Sequence, residues 1–488
     1  MSSVRKSFLL SLADSYLGMV LQLASTVIIA RLLTPAEVGV FAVAAVFAGL
    51  ASTFRDFGVA EYLIQERELT QDKIRAALTL NIIVSWSMAL ALFAAGPVAG
   101  DFYREPGVVN VMWVQALTFL LIPFGAVTQA WFRRELNYRP IVICNLLANI
   151  AAFATAVGLA YLGFGYMSLA WSGLVGIVVT VTAVAWFRPK DFPLWPSLKG
   201  VGQVFHFGKF ASAIYLMEQV GKGAPELVIG RALTMADVGM FSRANGLVEM
   251  FHRLVMRPVL QVCMPYFAKS DREQGSLVAA YLHSLSLLTA VGWPFLAFLS
   301  VIAFAAIRII YGTQWMQAVP VAQVLCVVGA VQLMYLMARE ALLACGAARR
   351  ANHLQMGLLS LQLLGLSLIV PLGLMGAAVG LLAAALCSAA LTQWHLHRGI
   401  GLALQDVVKH CLPSLALTAL AVAPVGLWAA LQPIGEANYW QFALVGGTLT
   451  TGLWLAGLRL MRHALWHELT IVGARVLQAI KARRAPAA

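Results

Sequence analysis

The chain has 488 residues, of which 61% are hydrophobic and only 11% are charged, and its mean hydropathy is +0.81. A soluble domain carries about 25% charged residues, so this composition excludes a water-soluble globular protein and predicts a polytopic membrane protein. The net charge of +13 is then read by its location in loops, not as a sign of nucleic-acid binding. Six cysteines occur without a Cys-x-x-Cys pair, so the sequence predicts neither a disulfide framework nor a zinc knuckle.

Fourteen apolar segments are each about 20 residues or longer, which is enough to cross a bilayer. They fall near residues 8–30, 36–59, 77–99, 108–132, 141–162, 165–187, 207–230, 236–266, 279–305, 317–343, 352–372, 374–394, 408–431 and 438–460. With both termini in the cytoplasm, the inner loops hold 24 Lys and Arg residues and the outer loops hold 4. This asymmetry follows the positive-inside rule, so the sequence predicts an all-α protein with 14 transmembrane helices. The first run continues past Asp14 and is interpreted as an uncleaved span.

One short segment occurs twice, 200 residues apart. Residues 29–42 read IARLLTPAEVGVFA, residues 229–242 read IGRALTMADVGMFS, and 8 of the 14 positions are identical. Each copy has a threonine followed three residues later by an acidic residue, the pattern of a capping box at a helix start. Six spans separate the copies, so the repeats have the same orientation. They predict two pseudo-symmetric six-helix lobes related by an axis along the membrane normal.

This repeat divides the chain into five predicted regions. They are an N-lobe with spans 1–6 at residues 1–190, a cytoplasmic linker at 191–206, a C-lobe with spans 7–12 at 207–398, spans 13 and 14 at 399–461, and a basic tail at 462–488. Spans 13 and 14 carry few polar side chains, which favours a lipid-facing or auxiliary packing role. The tail has apolar residues at helical spacing among basic ones, which predicts an amphipathic helix on the anionic inner membrane surface. His463, His467 and Glu468 offer a zinc site as an alternative to ordinary interfacial histidines, and we predict no metal.

Ionisable residues inside the spans are the candidate functional groups, because each is costly in a bilayer unless it is paired or hydrated. They concentrate in the first two helices of each lobe. We assign to a hydrated substrate cavity the residues Arg55, Asp56, Lys222, Arg243, Arg253 and Arg257. The ion-coupling candidates are Asp14, Glu218, Glu226 and Glu249. Arginine presents a planar fork to phosphate oxygens, so this set favours a pyrophosphate-bearing substrate.

Structural interpretations of the same residues remain open. Glu218, Lys222 and Glu226 lie at i, i+4 and i+8, so they could form an ion-pair ladder that satisfies itself. The pair Arg55 and Asp56 could tie span 2 to its neighbour. The two later arginines of span 8 could reach the inner interface by extending their side chains.

No catalytic signature is evident in the sequence. The segment from Gly202 to Phe210 has five residues between its glycines and no Ser or Thr after Lys209, so it is not a P-loop. We therefore predict a transporter without a cofactor, driven by an ion gradient or the membrane potential. Pro258, Pro265 and Pro294 predict helix kinks that suit a moving protein.

The segments LQLASTVIIARLLTPAEVGVFA and FRDFGVAEYLIQ resemble the MOP exporter superfamily. The resemblance is closest to the Wzx-type oligosaccharide flippases of its polysaccharide-transport branch, including those of the colanic acid exporter type. It implies that undecaprenyl-pyrophosphate-linked repeat units cross the bacterial inner membrane by alternating access. The head group would pass through a cationic cavity while the polyprenyl tail stays in lipid. Within the family motif, only Arg55 and Asp56 are expected in the cavity.

The resemblance implies a polyprenyl-pyrophosphate-linked oligosaccharide and the lipid bilayer as partners. We also predict H⁺ or Na⁺ as coupling ion, polysaccharide polymerase machinery as a partner, and no nucleic acid. The main alternative is a cation-coupled multidrug antiporter of the MATE type, which needs acidic groups in an apolar cavity. A membrane glycosyltransferase would need paired carboxylates in large outer loops, and a scramblase or scaffold would need no coupling.

Overall fold

The computed structural model describes residues 2–55, 59–189, 192–193, 195–198, 201–202, 212–252, 256–272 and 276–471. Every regular element within these ranges is a helix, which confirms the predicted all-α class. The first part of the chain contains α1 Ser2–Leu32, α2 Pro35–Arg55, α3 Val59–Gln65, α4 Gln71–Tyr103, α5 Pro106–Leu121, α6 Pro123–Arg134, α7 Tyr138–Tyr161 and α8 Met167–Phe187.

The second part of the chain repeats this succession of long helices. It contains α9 Ser212–Ala232, α10 Met235–Phe251, α11 Arg257–Arg272, α12 Leu277–Val301, α13 Ala303–Ile310, α14 Val319–Leu333, α15 Ala338–Ala344, α16 Ala348–Ile369, α17 Leu374–Ile400, α18 Leu404–Leu431, α19 Tyr439–Leu460 and α20 Ala464–Ile471. Short 3₁₀ turns occupy Thr313–Ala318 and Val370–Leu372.

Nine helical segments of the described chain are long and apolar enough to cross a membrane, or eleven if each of two bent pairs is one span. The remaining predicted spans coincide with α1, α9 and the α10–α11 pair. Four charged side chains on α9 (Glu218, Lys222, Glu226 and Arg231) make it less apolar than an ordinary span. The predicted number of 14 therefore stays a prediction, whereas a multi-pass membrane protein is confirmed.

Span 4 departs from the straight helix that its hydrophobicity suggests. It is broken into α5 and α6, which meet at an angle of 51°. Pro123 is the first residue of α6, and its missing N–H and its ring prevent α5 from continuing. By contrast, Pro294 lies inside the continuous helix α12.

Two compact units divide the chain: Met1–Ser242 with Ile310–Gln314, and Arg243–Ile309 with Trp315–Ala488. The first unit contains α9, which packs on α2. Gly223 and Gly230 on α9 face Val46 and Val43 on α2, so small residues allow the two helices to approach closely. The predicted lobe boundaries stay a prediction.

The duplicated turn forms both predicted capping boxes. Glu37 Oε2 accepts hydrogen bonds from the Thr34 N–H and hydroxyl at 2.8 Å each. Asp237 Oδ2 accepts the same pair from Thr234 at 3.1 and 2.6 Å. These bonds satisfy N–H groups that a helix start leaves without a partner. The two turns thus begin α2 and α10 in the same way.

The glycines of these turns bring the two copies into contact within the first unit. A Cβ added at Gly39 would overlap the Met235 carbonyl, and one added at Gly239 would overlap the Pro35 carbonyl. Each glycine thus faces the first residue of the other copy's helix. This reciprocal backbone contact explains why both copies carry glycine at this position.

A buried polar cluster in the second unit holds the end of α19. The His463 ring Nε2 lies 3.4 Å from Ser286 Oγ on α12 and 3.3 Å from Ser414 Oγ on α18. The Leu465 N–H donates to His463 Nδ1 at 3.2 Å, so both ring nitrogens have protein partners, which argues against a zinc ligand. Helix α20 then turns by 98° from α19. The rest of the predicted amphipathic tail lies outside the described residues.

Candidate functional site

A pocket of about 390 Å³ lies inside the first unit, lined by parts of α3, α4, α6 and α8 and by the end of α2. Its polar lining comprises Arg55, Asn81, Gln129, Arg133 and Thr180. We call it the guanidinium pocket. Two cations, two amides and a hydroxyl give it many hydrogen-bond donors and no carboxylate among its described lining residues, which suits an anionic group.

The helices position the two arginines from different directions. Arg55 is the last residue of α2, where a cation is favoured by the helix dipole. Its Cζ lies 5.9 Å from the centre of the Phe119 ring on α5, within range of a cation–π contact. Gln129 and Arg133 are one turn apart on α6, so they share a face. The break at Pro123 gives this face a direction that a straight continuation of α5 would not give it.

Adjacent arginines at the end of α6 have different surroundings. Arg134 Nη1 donates to the carbonyls of Leu63 at 2.8 Å and Glu66 at 2.5 Å, and Nη2 donates to that of Arg67 at 3.3 Å. The Arg133 side chain is exposed and makes no hydrogen bond or ion pair with another described residue. Arg134 therefore fixes the end of α3, while the side-chain donors of Arg133 are not used by another described residue.

The turn between α3 and α4 is stabilised further by an ion pair. Lys73 Nζ lies 3.0 Å from Glu66 Oε1 and donates to the Glu68 carbonyl at 2.9 Å. The hydrogen bond from Lys73 holds the pKa of Glu66 below its ordinary value. Since Leu63 lines the guanidinium pocket, these contacts stabilise one of its walls.

On α9, the structure separates the three charged residues of the predicted ladder. Lys222 Nζ lies 2.6 Å from Glu218 Oε1, with 54% and 41% of the two side chains exposed. Glu226 Oε2 is buried and has no hydrogen-bond partner among the described residues. Glu226 shares a helix face with Gly223 and Gly230, the glycines that contact α2. Of the predicted ladder, the ion pair between Glu218 and Lys222 is therefore formed. Glu226 makes no ion pair with another described residue.

The second unit contains two other predicted site residues on α10. Arg243 Cζ lies 5.4 Å from the centre of the buried Trp315 ring, and Glu249 is half-buried. Four predicted residues lie outside the described residues, wholly or in their side chains: Asp14, Asp56, Arg253 and Arg257. Their assignment to a cavity stays a prediction.

Sequence reasoning placed Arg55 in a cavity but missed the residues that share its pocket. Arg133 was counted as an inner-loop charge, and Asn81, Gln129 and Thr180 were counted as ordinary span residues. The pairing of Gln129 and Arg133 one turn apart was the available signal. It was weak, because Pro123 is the one sequence signal for the helix break before them, and a proline does not always break a helix, as Pro294 inside α12 shows.

A known protein family matches more than half of the chain. The family model described as "Polysaccharide biosynthesis protein" matches residues 28–320. Teichuronic acid biosynthesis protein TuaB of Bacillus subtilis is 27% identical over 326 residues, which cover 64% of this chain and 65% of TuaB. Lipopolysaccharide biosynthesis protein WzxC of Escherichia coli is 26% identical over 312 residues, or 63% of each chain. The chain thus spans just under two thirds of the length of these relatives.

Solved structures share the fold. Lipid II flippase MurJ in an inward closed conformation has a TM-score of 0.73 at 10% identity, covering 93% of this chain and 99% of MurJ. An inward-facing multidrug resistance MATE family transporter of the MOP superfamily has a TM-score of 0.61 at 15% identity, covering 80% and 96%. The predicted MOP-type fold is confirmed. Because a flippase and a drug transporter both have it, the fold alone does not distinguish their substrates.

Proposed function

The chain belongs to the polysaccharide biosynthesis protein family, and from that membership we propose that it flips a polyprenyl-pyrophosphate-linked oligosaccharide across the bacterial inner membrane by alternating access. The observation that carries this proposal is the guanidinium pocket. Arg55 and Arg133 approach it from two helices, and the Arg133 fork has no protein partner among the described residues. Paired guanidinium groups bind phosphate oxygens in the bidentate manner that arginine favours.

Within this function the protein is a transporter and not an enzyme, and both termini are cytoplasmic. The pocket would hold the pyrophosphate while the polyprenyl chain remains in lipid. Arg243, Arg253, Arg257 and Lys222 remain proposed cavity residues, and polymerase machinery remains a proposed partner. Coupling to H⁺ or Na⁺ would need an acidic group shielded from water, for which Glu226 is our candidate.

The test compares R133A with R139A, a matched control that removes one positive charge from an exposed residue outside the pocket. In proteoliposomes containing lipid-linked repeat units, we expect R133A to slow flipping at least about tenfold, the effect of losing one charge-assisted contact. R139A should flip at nearly the wild-type rate. Equal rates for R133A and the wild type would refute the proposed head-group site.

A multidrug antiporter is the second candidate, and Glu226 is the observation that favours it, since such a pump needs a buried acid. The two functions differ in the molecule that is transported. A wild-type protein that exports a lipophilic cationic dye and leaves lipid-linked repeat units in the inner leaflet would support the antiporter.

A further inference from the structure

A second cavity lies beside the guanidinium pocket in the first unit. It has a volume of about 650 Å³ and is lined by α1, α7 and α8. Its polar lining consists of Gln22, Ser25, Asn145, Asn149, Ser172 and Thr180, and we call it the amide pocket. Thr180 lines both pockets, so they adjoin each other at α8.

The lining of the amide pocket has a chemistry of its own. None of its described lining residues is ionisable. The side chains of Gln22, Ser25 and Asn149 make no hydrogen bond with another described residue, so their donors and acceptors are available. Each amide both donates and accepts, as does each hydroxyl.

We propose that the amide pocket binds the saccharide part of the substrate while the guanidinium pocket holds the pyrophosphate. This inference rests on the proposed function. A sugar is covalently joined to the pyrophosphate, so the two parts require adjoining sites, and Thr180 marks where these meet. Sugar hydroxyls each donate and accept, which matches amides and hydroxyls better than guanidinium groups do.

Other occupants fit this lining less well. A polyprenyl chain would leave the polar side chains facing hydrocarbon, which is unfavourable without hydrogen-bond partners. A phosphate would find no cation among the described lining residues. Phe153 adds an aromatic face beside the polar groups, against which the apolar face of a sugar ring can pack. The volume lies within the range of about 300–1,000 Å³ that ligand pockets occupy.

The test measures how much the sugar contributes to binding. The purified full chain in detergent is titrated with undecaprenyl pyrophosphate and, separately, with the undecaprenyl-pyrophosphate-linked repeat unit extracted from the bacterium that encodes this chain. The ratio of the two affinities is the contribution of the sugar. Wild type is compared with Q22L, N149L and their double variant, which keep side-chain bulk but lose hydrogen bonding. I150A is the control, since Ile150 is an exposed neighbour outside the pocket.

We expect each leucine variant to reduce the affinity ratio about three- to tenfold, as loss of one or two hydrogen bonds does. N149S should restore part of the ratio, and I150A should leave it unchanged. R133A should weaken both probes together and preserve the ratio. Circular dichroism and thermal unfolding identify any variant that fails to fold, and N149S then provides the comparison.

Three results would overturn the inference, and they differ from one another. If wild type binds both probes equally, the amide pocket does not bind the sugar, whereas the proposed head-group site is not contradicted. If Q22L and N149L keep the wild-type ratio, the sugar lies elsewhere. If wild type binds neither probe, the proposed function itself fails, and this inference fails with it.

Discussion

Two neighbouring arginines show how differently the same residue type is used at the end of one helix. The Arg134 guanidinium group donates hydrogen bonds to three backbone carbonyls at the end of α3. Arg133, one position earlier, points to the guanidinium pocket. A sequence alone assigns both to the positive inner loop, because only the structure shows which arginine binds backbone carbonyls and which one lines a pocket.

Replacing Arg134 should therefore affect stability more than binding. R134A removes charge-assisted hydrogen bonds to three carbonyls, so we expect a loss of roughly 2–4 kcal/mol in unfolding free energy. R134K should recover only part of it, because an ammonium group does not reproduce the planar fork. Thermal unfolding in detergent measures this, with R133A as the comparison. A variant R134A as stable as R133A would contradict the structural assignment.

At the scale of elements, the repeat was the most predictable part of the molecule. Its capping boxes form as the Thr-x-x-acidic spacing predicts, because the pattern and the bond it makes are both local. The contact between Gly39 and Gly239 was not predictable, since it joins residues 200 positions apart. The break between α5 and α6 was also missed, because span 4 is apolar on both sides of Pro123.

The glycine contact gives a sharp test of this packing. G239A would place a methyl group against the Pro35 carbonyl, so we expect a loss of about 1–3 kcal/mol, as overpacking causes. The control is G173A on α8, where an added Cβ would meet nothing within 4 Å. Alanine is a better helix former than glycine, so G173A should stabilise by about 0.4–1 kcal/mol. Opposite signs in chemical unfolding support the contact, and equal effects would exclude it.

At the scale of the whole molecule, composition and charge predicted a multi-pass membrane protein, and the repeat predicted two related halves. The candidate pockets were harder to foresee. Thr180 and Asn149 line a pocket only because α8 and α7 bring them beside other polar groups. In the sequence they are single polar residues within apolar spans, which a hydrophobicity profile does not single out. The charged residues drew attention, yet Lys222 and Glu218 form an exposed pair of the kind that contributes little to stability.

Glu226 offers a test of how movement is coupled to an ion. It lies on the face of α9 that contacts α2, and its Oε2 is buried with no hydrogen-bond partner in the described part of the chain. A buried carboxylate of this kind is costly when charged, so separation of α9 from α2 would favour exchange of a proton or cation, and closure would favour its neutral or cation-bound form. Alternating access would then be linked to the ion gradient through this one contact.

E226Q keeps the shape of the side chain but stays neutral. It should therefore bind the lipid-linked repeat unit as wild type does. The rate of flipping driven by an imposed proton gradient should fall about tenfold or more. D101N is the control, because it removes an acid from an exposed residue of α4 that lines neither pocket, and it should flip at nearly the wild-type rate. Flipping is measured in proteoliposomes under a proton gradient and, separately, under a sodium gradient, which identifies the ion. Undiminished flipping by E226Q under both gradients would show that the coupling group lies elsewhere, because a permanently neutral amide cannot release a proton or balance the charge of a cation.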